Sequence, residues 1–219
     1  RVYLEEQLAQ FGWQTERQVF TDETPIGEVE FVNLRARFGS PEEARKRKVH
    51  VLIGSHYDTK RYRDIRFVGA NDAGSSTGAL LEFARVAASD PDFAKHLELV
   101  FFDGEEAIEK FSPTDGTYGS RYYARTITRR QKLHQRPKTV VILDMVGEKD
   151  LNIRVPSDTP THLYDALIES AEELGFRKHF GIWRTPITDD HVPFQNEGVD
   201  AIDLIDFDYQ AWHLSLIHI

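Results

Sequence analysis

The chain has 219 residues, 40% of them hydrophobic and 29% charged, which is enough for one sizeable domain with a single core and short for two. Its net charge of −9 argues against nucleic acid as the main partner, and its longest apolar runs are too short for a membrane-spanning helix. The absence of cysteine excludes thiolate metal sites, a cysteine nucleophile and disulfides, and leaves the compartment open.

In chain order, Val2, Leu4, Leu8 and Phe11 recur at helical spacing up to Gly12. Val29, Phe31, Leu34 and Ala36 to Phe38 alternate as in a strand. Val49 to Gly54 reads as a buried strand that runs into Ser55-His56-Tyr57-Asp58. A charged loop spans Lys60 to Arg66. Asp72 then precedes the stripe of Ala79-Leu80-Leu81, Phe83-Ala84 and Val86-Ala87, which predicts a helix. Leu97 to Phe102 predicts a second buried strand, leading into Asp103-Gly104-Glu105-Glu106, and Tyr118 to Thr126 a short helix. Val140 to Leu143 predicts a third buried strand, closed by Asp144. A helix over Thr161 to Leu174, ended by Gly175, and a last strand over Ala201 to Ile205 follow, and a short loop then reaches Trp212-His213. The basic runs Arg45 to Lys48 and Arg129 to Lys138 flank strands and read as solvated connections. Strands alternating with helices predict an α/β single domain, with a central, mostly parallel mixed β-sheet and helices on both faces. The domain is expected over residues 1–213, with 214–219 a non-native tail.

Ligands in open α/β sheets collect where strands end, and here four strands end at chemically capable residues. Each has an ordinary alternative. Asp72 can cap the following helix, Glu105 and Glu106 can be solvated acids, and His56 can be a satisfied core histidine. Asp189-Asp190-His191 can be a capped turn before Pro193. Asp144, at the end of an apolar strand, needs a partner or a metal. Adjacent acids in a dry site repel each other unless a dication offsets their charge. Taken together, Asp72, Glu106 and His213 form a set that a fold can gather around one zinc ion, with Glu105 beside it and free to move protons.

The segments SHYDTK (Ser55 to Lys60), FVGANDAG (Phe67 to Gly74), FFDGEEA (Phe101 to Ala107), FSPTDGTYGSRYYA (Phe111 to Ala124), ILDMVG (Ile142 to Gly147), DDHVPF (Asp189 to Phe194) and Trp212-His213 resemble the animal-type glutaminyl cyclases. These enzymes share a fold with the di-zinc aminopeptidases. The resemblance implies that Asp72, Glu106 and His213 bind one zinc, that Glu105 is the acid/base, and that Asp144 and Asp189 are its hydrogen-bonding partners. It implies a substrate pocket walled by Trp212 and Phe111, to which position adds Phe207, and substrates that are peptides or proteins with an N-terminal glutamine. The aminopeptidase alternative needs two zinc ions, the second held by His56 and Asp144 with Asp72 bridging and Asp58 orienting His56; Asp190 stands beside this set. Two departures are visible. Phe111 stands where the family usually has Trp, and Leu214 follows the final His where the family usually continues with Thr and a helix. The chain starts inside a helix, so a preceding piece is expected. The resemblance suggests a secreted or periplasmic protein, and the size a monomer.

Overall fold

The computed structural model of the chain describes residues 1–65, 67–132 and 136–208. Eight strands form one sheet: β1 (Trp13–Thr24), β2 (Gly27–Phe38), β3 (Val51–His56), β4 (Leu97–Phe102), β5 (Thr139–Asp144), β6 (Ile153–Val155), β7 (Phe180–Ile182) and β8 (Ala201–Ile205). They lie in the order β1-β2-β4-β3-β5-β8-β6-β7. β4, β3, β5 and β8 are mutually parallel neighbours. The β1–β2 hairpin joins antiparallel at one side, and β6 pairs antiparallel with β8 at the other.

The α-helices among the described residues are α1 (Val2–Gln10), α2 (Pro41–Lys46), α3 (Gly74–Ala87), α4 (Pro91–Ala94), α5 (Tyr118–Arg130), α6 (Thr161–Glu173) and α7 (Val192–Asn196). Every residue of β4 is buried, because both faces of the sheet are covered. Leu99 and Phe101 pack with Leu4, Leu8, Trp13, Leu80 and Ala84, under α1 and α3. Val100 and Phe102 pack with Tyr123, Ile127, Ile142 and Phe194, under α5 and α7. This alternation along one strand creates two apolar layers, and the expected architecture is what forms. Among the described residues no helix is long and apolar enough to cross a membrane.

Several boundaries differ from the sequence expectation. β3 starts at Val51 and includes His56, so the histidine is fixed by the sheet rather than by a loop. α5 continues to Arg130, taking in Arg129 and Arg130; cations in a last turn complement the carbonyl end of the helix dipole. β1 was not anticipated. Its exposed, mostly polar residues alternate on the sheet edge and bury little beyond Trp13 and Phe20. α2 starts with a capping box between Ser40 and Glu43, a signal present in the sequence.

Candidate active site

Registers Ser55↔Phe101, Gly54↔Ile142 and Ile142↔Asp203 align the carboxyl ends of the four parallel strands along one edge. His56 is the last residue of β3 and Asp144 the last of β5, while Glu105 and Glu106 lie just past β4. Asp72 comes from the loop before α3, and Asp189 and Asp190 from the segment before α7.

Buried His56 is the meeting point. Its Nε2 lies 3.1 Å from Asp72 Oδ1 and 3.3 Å from Asp144 Oδ1, and its Nδ1 is 3.4 Å from Asp58 Oδ1. Burial disfavours the imidazolium, but hydrogen bonds to Asp144, Asp58 and Asp72 outweigh it and raise the His56 pKa well above its ordinary value. Asp72 does not cap α3: the capping position is Ala73, with no side-chain cap, and the Asp72–Ala73 peptide is cis. The loop closes through Gly74 N–H donating to Gly69 O, 2.8 Å. Gly69 is required there, at φ +59°, because a Cβ would come within 2.0 Å of Asp72 O. Asn71 Oδ1 accepts from Gly147 N–H (2.8 Å) and from Ser75 Oγ (2.7 Å), which ties this loop to the one after Asp144.

Glu105 and Glu106 are positioned through their backbone. Asp58 accepts Glu105 N–H at Oδ1 (3.1 Å) and Glu106 N–H at Oδ2 (3.2 Å). Thr117 N–H donates to Glu105 O, 2.7 Å, from a left-handed φ of +48°. Lys60 Nζ lies 3.6 Å from Glu106 Oε2 and donates to Ala107 O. The Glu105 side chain is buried. Burial, with Asp190, Glu106 and Asp144 nearby and despite His56, raises its pKa well above the carboxylate range. Asp189 is raised likewise by burial and by Asp203, Asp144 and Glu105. Burial pushes Asp190 up to about 7.

The structure therefore brings together His56, Asp58, Asp72, Glu105, Glu106, Asp144, Asp189 and Asp190. Phe111 lies at the rim of a neighbouring cavity, 38% exposed. Phe207 packs on Trp183, with ring centroids 5.8 Å apart, beside Met145, Ile187 and Ile205. Trp212 and His213 lie outside the described residues. Sequence reasoning missed Asp203, a fully buried acid in β8 that raises the pKa of Asp189. An acid inside the apolar run Ala201 to Ile205 was its available signal. It also missed Met145, at a left-handed φ of +47° directly after Asp144. Strain of this kind persists where surrounding structure holds it, often beside functional groups.

The donor chemistry fits a divalent metal. His56, Asp72 and Asp144 each offer a buried ligand atom, all within 4.8 Å of one another. Imidazole and carboxylate donors without thiolate suit zinc. The crowded acids, whose charges burial opposes, are what a dication would relieve.

Residues 33–216 match peptidase family M28. The glutaminyl-peptide cyclotransferase of Boiga dendrophila is 30% identical over 93% of this chain and 64% of its own length, so the chain spans less than two thirds of that relative. The enzyme of the same name from Dictyostelium discoideum is 25% identical over 97% of this chain and 70% of its own. Among solved structures, a glutaminyl cyclase from an Acidobacteriales bacterium superposes with a TM-score of 0.84 at 32% identity, over 98% of this chain and 75% of that one. A leucine aminopeptidase precursor from Bacteroides thetaiotaomicron shares the fold, with a TM-score of 0.80 at 22% identity over 98% of this chain and 78% of its own.

Proposed function

The chain belongs to peptidase family M28, and from that premise we propose that it is a zinc-dependent glutaminyl-peptide cyclotransferase, converting N-terminal glutamine of peptides to pyroglutamate with release of ammonia. The observation that carries the reading is Glu105, buried beside Asp144, Asp189 and Asp190 and next to the ligand candidate Glu106. The relatives named above as cyclotransferases and cyclases support it.

Asp72, Glu106 and His213 would hold the ion, which when bound supplies Lewis acidity to the glutamine γ-carbonyl. The chain's own residues do the rest. The peptide's α-nitrogen forms a bond to the γ-carbonyl carbon, and the bond from that carbon to the side-chain nitrogen breaks. Glu105 accepts the proton released by the α-amine and returns it to the departing nitrogen, so the protons balance and no water is consumed. Burial and the surrounding acids raise the Glu105 pKa, which favours its taking up the proton, and a dication held beside it would favour the ionised form that does so. Asp144 and Asp189 hold the amide nitrogen. A pocket that folds the glutamine side chain back toward its own amine favours cyclisation over hydrolysis; Trp212, Phe111 and Phe207 are its proposed walls.

One observation favours a second reading, a di-zinc aminopeptidase. The His56, Asp72 and Asp144 ligand atoms are already clustered, and two ions bridged by Asp72 would suit hydrolysis with Glu105 activating water. Mass spectrometry of a Gln-initiated peptide incubated with protein and zinc separates the two. Cyclisation predicts an intact peptide lighter by one ammonia, with metal analysis of the protein giving one zinc per chain. Free glutamine with two zinc ions per chain would replace this proposal with the peptidase.

A further inference from the structure

A cavity of about 510 Å³ lies between α5 and α7, beside the acid cluster and not within it. Two residues of its rim are joined to the acid cluster through the main chain. Thr117 holds the Glu105 carbonyl, and Thr188 directly precedes Asp189. Phe111 forms a third part of the rim, and its loop is fixed. The Asp115 carboxylate accepts the backbone N–H groups of Ile108, Glu109 and Lys110 at 2.7–3.0 Å, together with the Tyr118 hydroxyl at 2.9 Å. The volume is in the range of ligand pockets and exceeds what one glutamine side chain fills. A peptide held by its first residue at Glu105 would therefore lay its following residues here.

The charges in the wall are specific. Arg121 and Arg125 are four residues apart on α5 and so share a face. Arg121 is held in place: Nη1 donates to Pro113 O (2.9 Å), the guanidinium sits 4.8 Å from the Tyr118 ring centre, and Asp22 lies 3.6 Å from Nη2. Burial, with Arg125 contributing, lowers the Arg121 pKa despite Asp22, Tyr118 and Asp115. Arg125 is exposed and makes no ion pair among the described residues. The acid of the opposite wall, Glu197, has Oε2 occupied by the Thr128 hydroxyl at 2.7 Å.

We propose that this cavity is a specificity subsite for an acidic side chain at the second or third residue of the substrate peptide, with Arg125 as its contact and Arg121 as the fixed charge behind it. The inference rests on the cyclotransferase reading. Its test is ammonia release from Gln-Ala-Ala, Gln-Glu-Ala, Gln-Ala-Glu and Gln-Lys-Ala, all C-terminally amidated to remove the terminal carboxylate. One of the acidic peptides is expected to exceed Gln-Ala-Ala in kcat/KM by about fivefold, the range of a partly solvated ion pair, and to do so through KM. Arg125→Ala should bring that ratio near one, and Arg125→Glu should transfer the preference to Gln-Lys-Ala; Arg125→Lys, which keeps the charge, should retain part of it. Equal values for all four peptides, or an acidic preference that survives Arg125→Glu, would overturn the subsite alone. No turnover of any peptide would overturn the reaction and the subsite with it.

Discussion

Glu105 is held by its main chain at both ends, by Asp58 at the N–H and Thr117 at the carbonyl, so its carboxylate can change protonation without losing its place. That arrangement makes Glu105→Gln a clean probe. The amide is nearly isosteric and keeps the backbone contacts, but it cannot take a proton. Turnover of Gln-initiated peptides is expected to fall by about 10²–10⁴-fold, the usual loss for a positioned acid/base. Zinc content, measured by metal analysis of the purified variant, should be unchanged because Glu106 is intact. A variant that keeps near-normal kcat would remove Glu105 from the proton transfer.

At the level of elements, the parallel strands stand on a buried ionic anchor at the end away from the site. Glu98, near the start of β4, receives Arg35 Nε at 2.8 Å, Arg37 Nη2 at 2.8 Å and the Tyr123 hydroxyl at 2.7 Å. Burial works against its charge, but the two guanidiniums prevail and hold its pKa below the ordinary value. The anchor ties β2, β4 and α5 together. Glu98→Gln keeps the shape, leaves the Arg37 guanidinium without its counter-ion and leaves Arg35 with only the exposed Glu16, 3.7 Å away, so a loss of about 3 kcal/mol is expected from urea denaturation at neutral pH. A loss below about 1 kcal/mol would mean that solvent already screens the cluster. The same element scale shows what could be read beforehand. Leu97 to Phe102 and Ala201 to Ile205 announce themselves because strands covered on both faces are near-continuous apolar runs, here broken only by Glu98 and Asp203. β1 did not, because a polar edge strand has no burial to reveal it and takes its register from β2. Acids at strand ends were legible as candidates. That Asp72 reaches His56 was legible only through the two-zinc alternative that the resemblance implies, since the turn from Gly69 to Gly74 depends on backbone geometry and on Asn71 contacts 76 residues away in sequence. Asp203 escaped notice because its neighbours in β8 read simply as core.

For the molecule as a whole, the buried titratable groups set a pH dependence whose sign follows from opposing terms. Burial raises Asp190 from the carboxylate range to about 7, so the folded protein binds a proton that the unfolded chain has released. Its contribution to stability therefore falls as pH rises through that window, by about 4 kcal/mol in the limit. Asp189, Asp203 and Glu105 are displaced in the same direction. His191 opposes them: burial lowers it to about 4, so stability falls as pH drops between its ordinary value and that point, by about 3 kcal/mol. Asp144 and His56 are raised too and act in the same sense as these acids, His50 is lowered and sides with His191, the raised groups prevail, and the net charge of −9 adds self-repulsion that also grows with pH. The metal-free protein should thus unfold at a higher temperature at pH 5 than at pH 8. Zinc should raise the pH 8 value more than the pH 5 value, because a dication favours ionised carboxylates and binds best when its ligands are deprotonated. Thermal unfolding at both pH values, with chelator and with zinc, measures all four quantities. A chelated protein that is at least as stable at pH 8 as at pH 5 would show that these acids are not held protonated in the fold. An equal zinc effect at both pH values would separate the ion from the acid cluster.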